Sequence, residues 1–321
     1  MATLAELEAA AEIVYATFAP TPQYRWPQLC ERTGCEVWVK HENHTPIGSF
    51  KVRGGLVFMD WLRRAKPDLS GIVTATRGNH GQSAAFAAKR QQVRAVIVVP
   101  RGNSREKNAA MRANGAELIE HGDDFQDAFE HAERIARDQG LFFWRTWDPV
   151  VVKGVASYSL ELFRAVPDID AFYLPIGHGS GISGAIAARD ALGLKTEIIG
   201  VVSERFPAYA LSFSAGRPVA TEPDQTIADG VACRVPDTRA VEVIAKGVAR
   251  IVKVSEEEIA AAMIHYFTDT HNVAEGAGAL PLAALMKEKD QMRGRRVALV
   301  LSGGNVDKEV FAKILAGASV E

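Results

Sequence analysis

The sequence has little cysteine, no long apolar run and no excess of charge of either sign. Only three cysteines, Cys30, Cys35 and Cys233, occur among 321 residues. They are too few to form a disulfide framework in a chain of this length. The spacing of Cys30 and Cys35 matches no common zinc motif, and no further ligand residues accompany them. We therefore expect reduced thiols and no metal site.

The charges nearly cancel, which excludes several classes of partner. Lysine and arginine number 37 against 39 aspartates and glutamates, for a net charge of −2. No basic segment is present for nucleic acid or for an anionic membrane. No stretch reaches the roughly 18 consecutive apolar residues of a membrane span, and the acidic first segment is unlike a signal or transit peptide. We expect a cytoplasmic protein that binds a small molecule.

What is present is an alternation of short apolar runs and amphipathic stretches. With 47% hydrophobic and 24% charged residues, the composition is that of a soluble globular protein. Runs rich in β-branched residues and apolar on both faces predict buried parallel strands. These runs cover residues 71–76, 94–99, 170–176, 197–202 and 296–302. Helical patterns lie between them, which predicts an α/β fold with parallel sheets.

The helical patterns also suggest a division into domains. Ser104 and Gly115 have the residue types of an N-cap and a C′ position, and apolar residues recur at helical spacing in 123–137. The segment 71–148 has enough strands and helices for a domain of its own. We predict a small, mobile domain at 71–148 and a large domain at 1–61 and 149–321.

The first segment that carries chemistry is 46–55, where Lys51 lies between Phe50 and Val52 at the start of an apolar helix. A lone lysine is usually solvated, with its aliphatic stem along an apolar surface. Burial would instead disfavour the charged ammonium and leave an amine able to attack a carbonyl. Taken by itself, the segment favours the solvated lysine.

A turn at 74–83 follows a predicted strand and precedes an alanine-rich helix. Such a turn exposes backbone N–H groups at a helix start, which suits a carboxylate or a phosphate. An ordinary capped turn, in which Asn79 and Ser83 satisfy the backbone, fits the same residues at least as well.

The segment 177–184 predicts a phosphate-binding loop. Its glycines let the backbone approach an anion closely, and the helix that follows favours negative charge. Gly179, Gly181 and Gly184 also fit the dinucleotide pattern G-x-G-x-x-G, with Glu204 twenty residues beyond the last glycine. The loop alone therefore leaves a dinucleotide site open.

Ser302 follows the last strong strand and precedes Gly303, Gly304 and Asn305. Ligands bind at the carboxyl ends of strands in open α/β sheets. By itself, however, this segment is explained better as a plain turn before the final helix.

Together, the four segments resemble those of the fold-type-II pyridoxal phosphate (PLP) enzymes, specifically the threonine/serine dehydratase and serine racemase family. The order agrees: Ser-Phe-Lys near 50, Gly-Asn-His-Gly-Gln near 80, a glycine loop near 180 and Ser-Gly-Gly-Asn near 302. The stretches 226–231 and 275–278 are similar as well, so the resemblance covers nearly the whole chain. It implies a two-lobed α/β fold like that of the tryptophan synthase β subunit, with parallel-rich sheets flanked by helices and the cofactor in the large domain.

The resemblance implies a role for each matching residue. Lys51 would hold PLP covalently and then act as the base on the substrate Cα, and Ser302 would face the pyridine nitrogen. Phe50 would flank the ring, and Asn79 would donate to its 3′-oxygen. The loop around the phosphate would comprise Gly177, His178, Gly179, Ser180 and Gly181. The turn that binds the substrate carboxylate would comprise Thr76, Arg77, Gly78, Asn79 and His80.

The chain departs from the family pattern in three places. Arg77 replaces a serine that is the second base in racemases, and because an arginine keeps its proton at neutral pH, we do not expect racemisation. Arg77 would contact a substrate carboxylate or a second polar group, or point to solvent. His178 and Ser180 interrupt a run of four glycines, and we expect His178 to face away from the phosphate. Relatives with a divalent cation pair a glutamate with an aspartate six residues later, whereas Glu204 is followed there by Ala210, so we expect no metal.

We therefore expect a PLP-dependent ammonia-lyase of amino-acid catabolism that converts L-threonine, L-serine or a related 3-hydroxy amino acid to a 2-oxo acid and ammonia. A neutral hydroxyl at Ser302 makes the ring a weaker electron sink than an aspartate would, which favours loss of a β-substituent over transamination. The resemblance implies a homodimer, and we expect no regulatory domain after Ser302. Three alternatives stay open: a PLP enzyme for a bulkier β-substituted amino acid, a non-catalytic binding protein of the same fold and, further off, a nicotinamide-dependent dehydrogenase.

Overall fold

Ten strands form two sheets in the computed structural model, which describes residues 2–317. The strands are β1 (Gln23–Arg25), β2 (Glu36–His41), β3 (Gly71–Ala75), β4 (Arg94–Val99), β5 (Glu117–Glu120), β6 (Phe142–Phe143), β7 (Ala171–Pro175), β8 (Glu197–Ser203), β9 (Arg250–Val254) and β10 (Arg296–Leu301). The larger sheet has the order β1-β2-β10-β7-β8-β9, and the smaller sheet has the order β5-β4-β3-β6.

Every neighbouring pair of strands is parallel except β1 and β2, which are antiparallel. The smaller sheet uses only strands between Gly71 and Phe143, and the larger sheet uses the strands before and after them. The parallel-rich α/β fold predicted from the sequence is confirmed.

Fourteen α-helices lie before, between and after these strands in the described residues. They are α1 (Leu4–Tyr15), α2 (Pro27–Thr33), α3 (Lys51–Ala65), α4 (Asn79–Arg90), α5 (Arg105–Ala113), α6 (Phe125–Gln139), α7 (Pro149–Ala165), α8 (Ser180–Ala191), α9 (Ala208–Ala215), α10 (Thr238–Gly247), α11 (Glu256–Thr270), α12 (Gly276–Lys287), α13 (Lys289–Met292) and α14 (Lys308–Leu315).

The larger sheet is buried on both faces, and this explains why its strands read as continuous apolar runs. Along β7, Phe172 and Leu174 pack into one hydrophobic cluster, whereas Ala171 and Tyr173 pack into another on the opposite face. Successive side chains of a strand point to opposite sides, so each run must be apolar at every position. Parallel sheets covered by helices on both faces have this pattern in general.

The helix ends that the sequence predicted are present. Ser104 is the N-cap of α5, and its hydroxyl accepts a hydrogen bond from the Lys107 N–H. Gly115 follows the C-cap Asn114 with a φ of +88°, a left-handed conformation that favours glycine. The pattern predicted for 123–137 corresponds to α6, which begins at Phe125 and is capped by Asp124.

Two further observations bear on the class of protein. Within residues 2–317, no helix is long and apolar enough to cross a bilayer. Cys30, Cys35 and Cys233 are all free thiols, which agrees with the expectation of reduced cysteines.

Candidate active site

A cavity at the carboxyl ends of β3, β7 and β10 brings together all the site residues predicted from the sequence. Its wall contains Phe50 and Lys51, the turn 76–80, the loop 177–181 and Ser302. The turn follows β3, the loop follows β7 and Ser302 follows β10. The Phe50 N–H donates to the Ser302 carbonyl oxygen at 3.0 Å, which fixes the start of α3 against the end of β10. The structure thus gathers the four segments, and their individual roles stay predictions.

Lys51 is a poorly solvated amine with no acidic partner among the described residues. Its Nζ lies 3.5 Å from Ser180 Oγ and 4.9 Å from the centroid of the Phe50 ring. Burial lowers the pKa of Lys51 to about 8, and the more distant charge of Glu275 only partly offsets this effect. At pH 7 roughly a tenth of Lys51 is therefore an unprotonated amine, far more than for a lysine with the ordinary pKa of 10.5, and a nucleophilic lysine needs this free amine.

A second lysine on the same wall, Lys107 of α5, has the opposite character. Its Nζ lies 2.5 Å from Asp229 Oδ2 and 3.7 Å from Glu275 Oε2. Burial opposes its charge, but the two carboxylates together outweigh burial and raise the pKa of Lys107. Lys107 thus stays protonated, and of the two lysines only Lys51 is suited to attack a carbonyl.

Asn79 is held on both sides of its amide. Its Nδ2 donates to Glu275 Oε1 at 2.6 Å, and its Oδ1 accepts from Asn305 Nδ2 at 2.8 Å. An amide nitrogen has two hydrogens, so one remains for the cofactor oxygen that the sequence assigned to Asn79. The two contacts fix the direction in which that hydrogen points.

Glu275 is a site residue that the sequence reasoning missed. Its carboxyl is buried beside Asn79, and Oε2 has no hydrogen-bond partner among the described residues. Burial raises the pKa of Glu275 to about 7, against the opposing attraction of Lys107. The stretch 275–278 was noted in the sequence as similar to the family, but no role was given to its acidic residue.

The glycine loop ends at the N-terminus of α8, which begins at Ser180. Gly179 has a φ of +87°, and a Cβ at Gly177 would lie 2.4 Å from the Gly230 carbonyl oxygen. Both positions therefore require glycine. The first N–H groups of a helix have no intrahelical acceptor and favour anions, so the loop is suited to a phosphate.

The turn before α4 is held together by one hydroxyl. Thr76 Oγ1 accepts hydrogen bonds from the N–H groups of Gly78 at 3.0 Å and of Gly81 at 3.3 Å. The N-terminus of α4, at Asn79, faces the cavity. The turn is thus suited to a carboxylate, as the sequence predicted.

Two histidines on the wall are neutral. Burial lowers the pKa of His80 to about 3 and that of His178 to about 4, and the nearby charge of Lys51 lowers both further. His80 Nε2 lies 3.1 Å from Thr74 Oγ1, so its ring is oriented by the end of β3. His178 lies on the wall, with its ring 5.8 Å from that of Phe125.

Glu204, the acidic residue of the possible dinucleotide pattern, does not line the cavity. Lys287 Nζ lies 3.4 Å from Glu204 Oε1 and 3.1 Å from Glu258 Oε2. Both side chains of the Lys287–Glu204 pair are partly exposed at the surface. Because Glu204 lies outside the cavity, it is not placed to bind a ligand held by the glycine loop, as the dinucleotide pattern requires.

The wall of the cavity fits PLP. The amine of Lys51 suits an aldehyde, the N-terminus of α8 suits a phosphate, and the buried hydroxyl of Ser302 offers a neutral partner to a ring nitrogen. Phe50, whose ring packs against Tyr158 at 6.0 Å, offers an apolar surface to the ring.

Comparisons with known proteins agree with this fit. A model of the family described as pyridoxal-phosphate dependent enzymes matches residues 14–303. An L-threonine ammonia-lyase of Thermotoga maritima is 36% identical over 288 residues, 89% of this chain and 71% of the relative. The catabolic L-threonine dehydratase TdcB of Escherichia coli is 33% identical over 304 residues, 94% of this chain and 91% of the relative.

A solved structure extends the agreement to three dimensions. The processed form of threonine deaminase isoform 2 from Solanum lycopersicum superposes with a TM-score of 0.89 at 28% identity, covering 99% of this chain and 95% of that one. The chain belongs to the family of pyridoxal-phosphate-dependent enzymes, and its cofactor is pyridoxal phosphate. The family resemblance and the cofactor inferred from the sequence are both confirmed.

Proposed function

We propose that this protein is a PLP-dependent ammonia-lyase that removes water and then ammonia from a 3-hydroxy amino acid such as L-threonine or L-serine. The observation that carries the proposal is the contrast between Lys51, whose pKa is lowered to about 8, and Lys107, which is held charged by two carboxylates. The relatives named as threonine ammonia-lyases and dehydratases support the same reaction.

Lys51 would hold the cofactor and then handle the proton of the substrate. Bound PLP draws electrons away from the substrate Cα and so makes its proton removable. Once displaced by the substrate amine, the amine of Lys51 would take that proton, a step suited to a base whose pKa lies near the working pH. Ser180 Oγ, 3.5 Å from Nζ, would orient the amine.

The remaining residues would fix the substrate and the cofactor. The turn from Thr76 to His80 would bind the substrate carboxylate at the N-terminus of α4. Ser302 would face the ring nitrogen as a neutral partner, which favours prompt loss of the β-hydroxyl. Loss of water leaves an enamine that hydrolyses to a 2-oxo acid and ammonia. The hydrolysis consumes as much water as the elimination releases, so the net reaction needs neither water nor an oxidant.

The proposal is tested by adding L-threonine to the purified holoprotein and measuring absorbance, 2-oxobutanoate and ammonia. We expect a band near about 410–420 nm, typical of lysine-bound PLP, that changes on addition, with equal amounts of both products. A band that ignores threonine and serine, with no product, would count against these substrates. Absence of any band after adding PLP would contradict the proposed class of enzyme.

Three further points of the prediction are also proposals: the oligomeric state, the cellular location and the movement of one part of the chain. We propose that the protein is a homodimer in the cytoplasm and that the part of the chain carrying the smaller sheet moves as a unit. The family resemblance supports the homodimer, and the balanced charge of the chain supports the cytoplasmic location. The movement is supported by the separate sheet that residues 71–143 form. Light scattering of the purified protein and hydrogen exchange with and without substrate would test assembly and movement.

A further inference from the structure

Arg77 is a cation without a partner on the wall of the active site. It lies between β3 and α4 and is partly buried. Among the described residues it makes neither an ion pair nor a side-chain hydrogen bond. An arginine carries five N–H donors and keeps its charge at any ordinary pH, so a partly buried one requires an anion or water.

Arg77 also lies on the wall shared by two connected spaces. Beyond the cofactor cavity, a second cavity of about 900 Å³ extends towards the surface, and Arg77, Phe125, Thr146 and His178 line both. Arg77 therefore lies between the cavity that contains Lys51 and a larger space, which has room for a substrate side chain bigger than that of threonine or serine.

The other charged side chains of the larger cavity are paired. Arg145 lies 3.3 Å from Glu133, and Arg234 lies 3.5 Å from Asp124. Each remaining carboxylate of this cavity has a cation within 4.0 Å. These carboxylates are Asp123, Asp224, Asp229 and Asp237. Within the described residues, Arg77 is thus the uncompensated charge of this cavity, and that charge is positive.

The α-carboxylate of an amino acid does not need Arg77. The N-terminus of α4, at Asn79 and His80, offers N–H groups that have no intrahelical acceptor. The N–H groups of Gly78 and Gly81 are already engaged by Thr76 Oγ1. The backbone of the turn is therefore suited to one carboxylate. The Arg77 guanidinium is then free to bind a second one.

We propose that the preferred substrate is a 3-hydroxy amino acid that carries a second carboxylate on its β-carbon side, bound by Arg77. The smallest such compound is 3-hydroxyaspartate, which would give oxaloacetate and ammonia. The Cα–H and Cβ–OH bonds break, water leaves, and hydrolysis of the enamine returns the water and releases ammonia. The inference rests on the proposed ammonia-lyase activity and specifies the substrate of the same site.

The test compares kcat/KM for L-threo-3-hydroxyaspartate and L-threonine in the wild-type holoenzyme and in Arg77→Gln. We expect the wild type to prefer the dicarboxylate and the ratio of the two kcat/KM values to fall roughly 100-fold in Arg77→Gln, since a charge-assisted pair to a carboxylate is lost. Arg77→Lys should keep part of the preference. Arg145→Gln is the matched control, because Arg145 lines the same cavity but is paired with Glu133, and its ratio should equal that of the wild type.

Four outcomes separate the possibilities. A preference for the dicarboxylate over L-threonine that falls in Arg77→Gln and persists in Arg145→Gln supports the inference. An equal loss for both substrates would show that Arg77 binds the α-carboxylate they share, which overturns it. Activity with threonine but none with the dicarboxylate overturns it as well and leaves the ammonia-lyase proposal standing. Activity with neither substrate, in a protein loaded with PLP, overturns both.

Discussion

Lys51 and Arg53 are cations two residues apart on α3, yet their surroundings are opposite. The Arg53 side chain is fully buried and lies 2.6 Å from both Glu42 and Glu161, and Lys40 pairs with Glu161 at 2.6 Å. This buried ion cluster contains two cations and two carboxylates. Within residues 2–317, the hydrogen-bond partner of Lys51 is the Ser180 hydroxyl alone, at 3.5 Å. Burial opposes both charges, but the carboxylates raise the pKa of Arg53, whereas that of Lys51 falls to about 8.

The comparison teaches that burial alone does not make a cation reactive. A buried charge with matched counter-charges is held as an ion and ties segments together, as Arg53 ties α3 to α7 through Glu161. A buried amine without them gives up its proton more readily and can then act as a nucleophile. The same helix thus carries, within a single turn, one cation held by counter-charges and one amine whose pKa is lowered.

The largest effect is expected from Lys51→Ala. The substitution removes the amine that would bind the cofactor and take the Cα proton, so kcat should fall at least roughly 1,000-fold. The circular dichroism spectrum should match that of the wild type, because no ion pair is broken. Retention of full activity in a correctly folded Lys51→Ala protein would sink the assigned role of Lys51.

Arg53→Met should give the largest loss of stability. It leaves Glu42 and Glu161 buried with only Lys40 as a counter-charge, and removal of one partner from a buried pair costs about 3–5 kcal/mol. Urea unfolding measures the change. The control is Arg64→Met on the same helix, since Arg64 pairs with Asp60 but its side chain is 75% exposed, and the expected change is within about 0.5 kcal/mol. Equal effects at the two positions would contradict the structural role of the cluster.

Replacing Lys51 with methionine should change the free energy of unfolding in the opposite direction, towards higher stability. In the apoprotein, Lys51→Met removes an unpaired, poorly solvated amine, so the free energy of unfolding at pH 7 should rise by roughly 2 kcal/mol. Urea unfolding of wild-type and variant apoprotein gives the difference directly. A loss of stability comparable to that of Arg53→Met would show that Lys51 is as well compensated as Arg53.

The stability gained by Lys51→Met should shrink as the pH rises. The pKa of Lys51 is lower in the folded protein, at about 8, than its ordinary value of 10.5, so the unfolded chain binds more protons between these pH values. The stability of the wild type therefore rises relative to the variant across that window, and by pH 10 the difference should be below about 1 kcal/mol. A difference independent of pH from 7 to 10 would contradict the lowered pKa.

The sequence predicted the main strands, but not the contrast between Lys51 and Arg53. The five strands predicted from apolar runs agree with β3, β4, β7, β8 and β10 to within one residue at each end, because strands buried on both faces are apolar at most positions. The strands β1 and β6 span only three and two residues, too few for any pattern. Lys51 was singled out through its apolar neighbours and the family resemblance.

The charges around the site were not predictable, because they come from distant parts of the chain. Lys107, Asp229 and Glu275 meet at the cavity although more than 40 positions separate each from the next. Local patterns specify helices and strands, but not which side chains meet across two sheets. The same holds for Glu42, Arg53 and Glu161, whose pairing only the fold reveals.

The most direct test of the account is to find which lysine holds the cofactor. The holoprotein is reduced with borohydride, digested and analysed by mass spectrometry, which locates the pyridoxyl group on one peptide. We predict the label on Lys51, with none recovered from Lys51→Ala, because Lys51 has the lowered pKa and Lys107 is held charged. A label on Lys107, or on any lysine outside the cavity, would contradict the central claim that the unpaired buried amine is the reactive one.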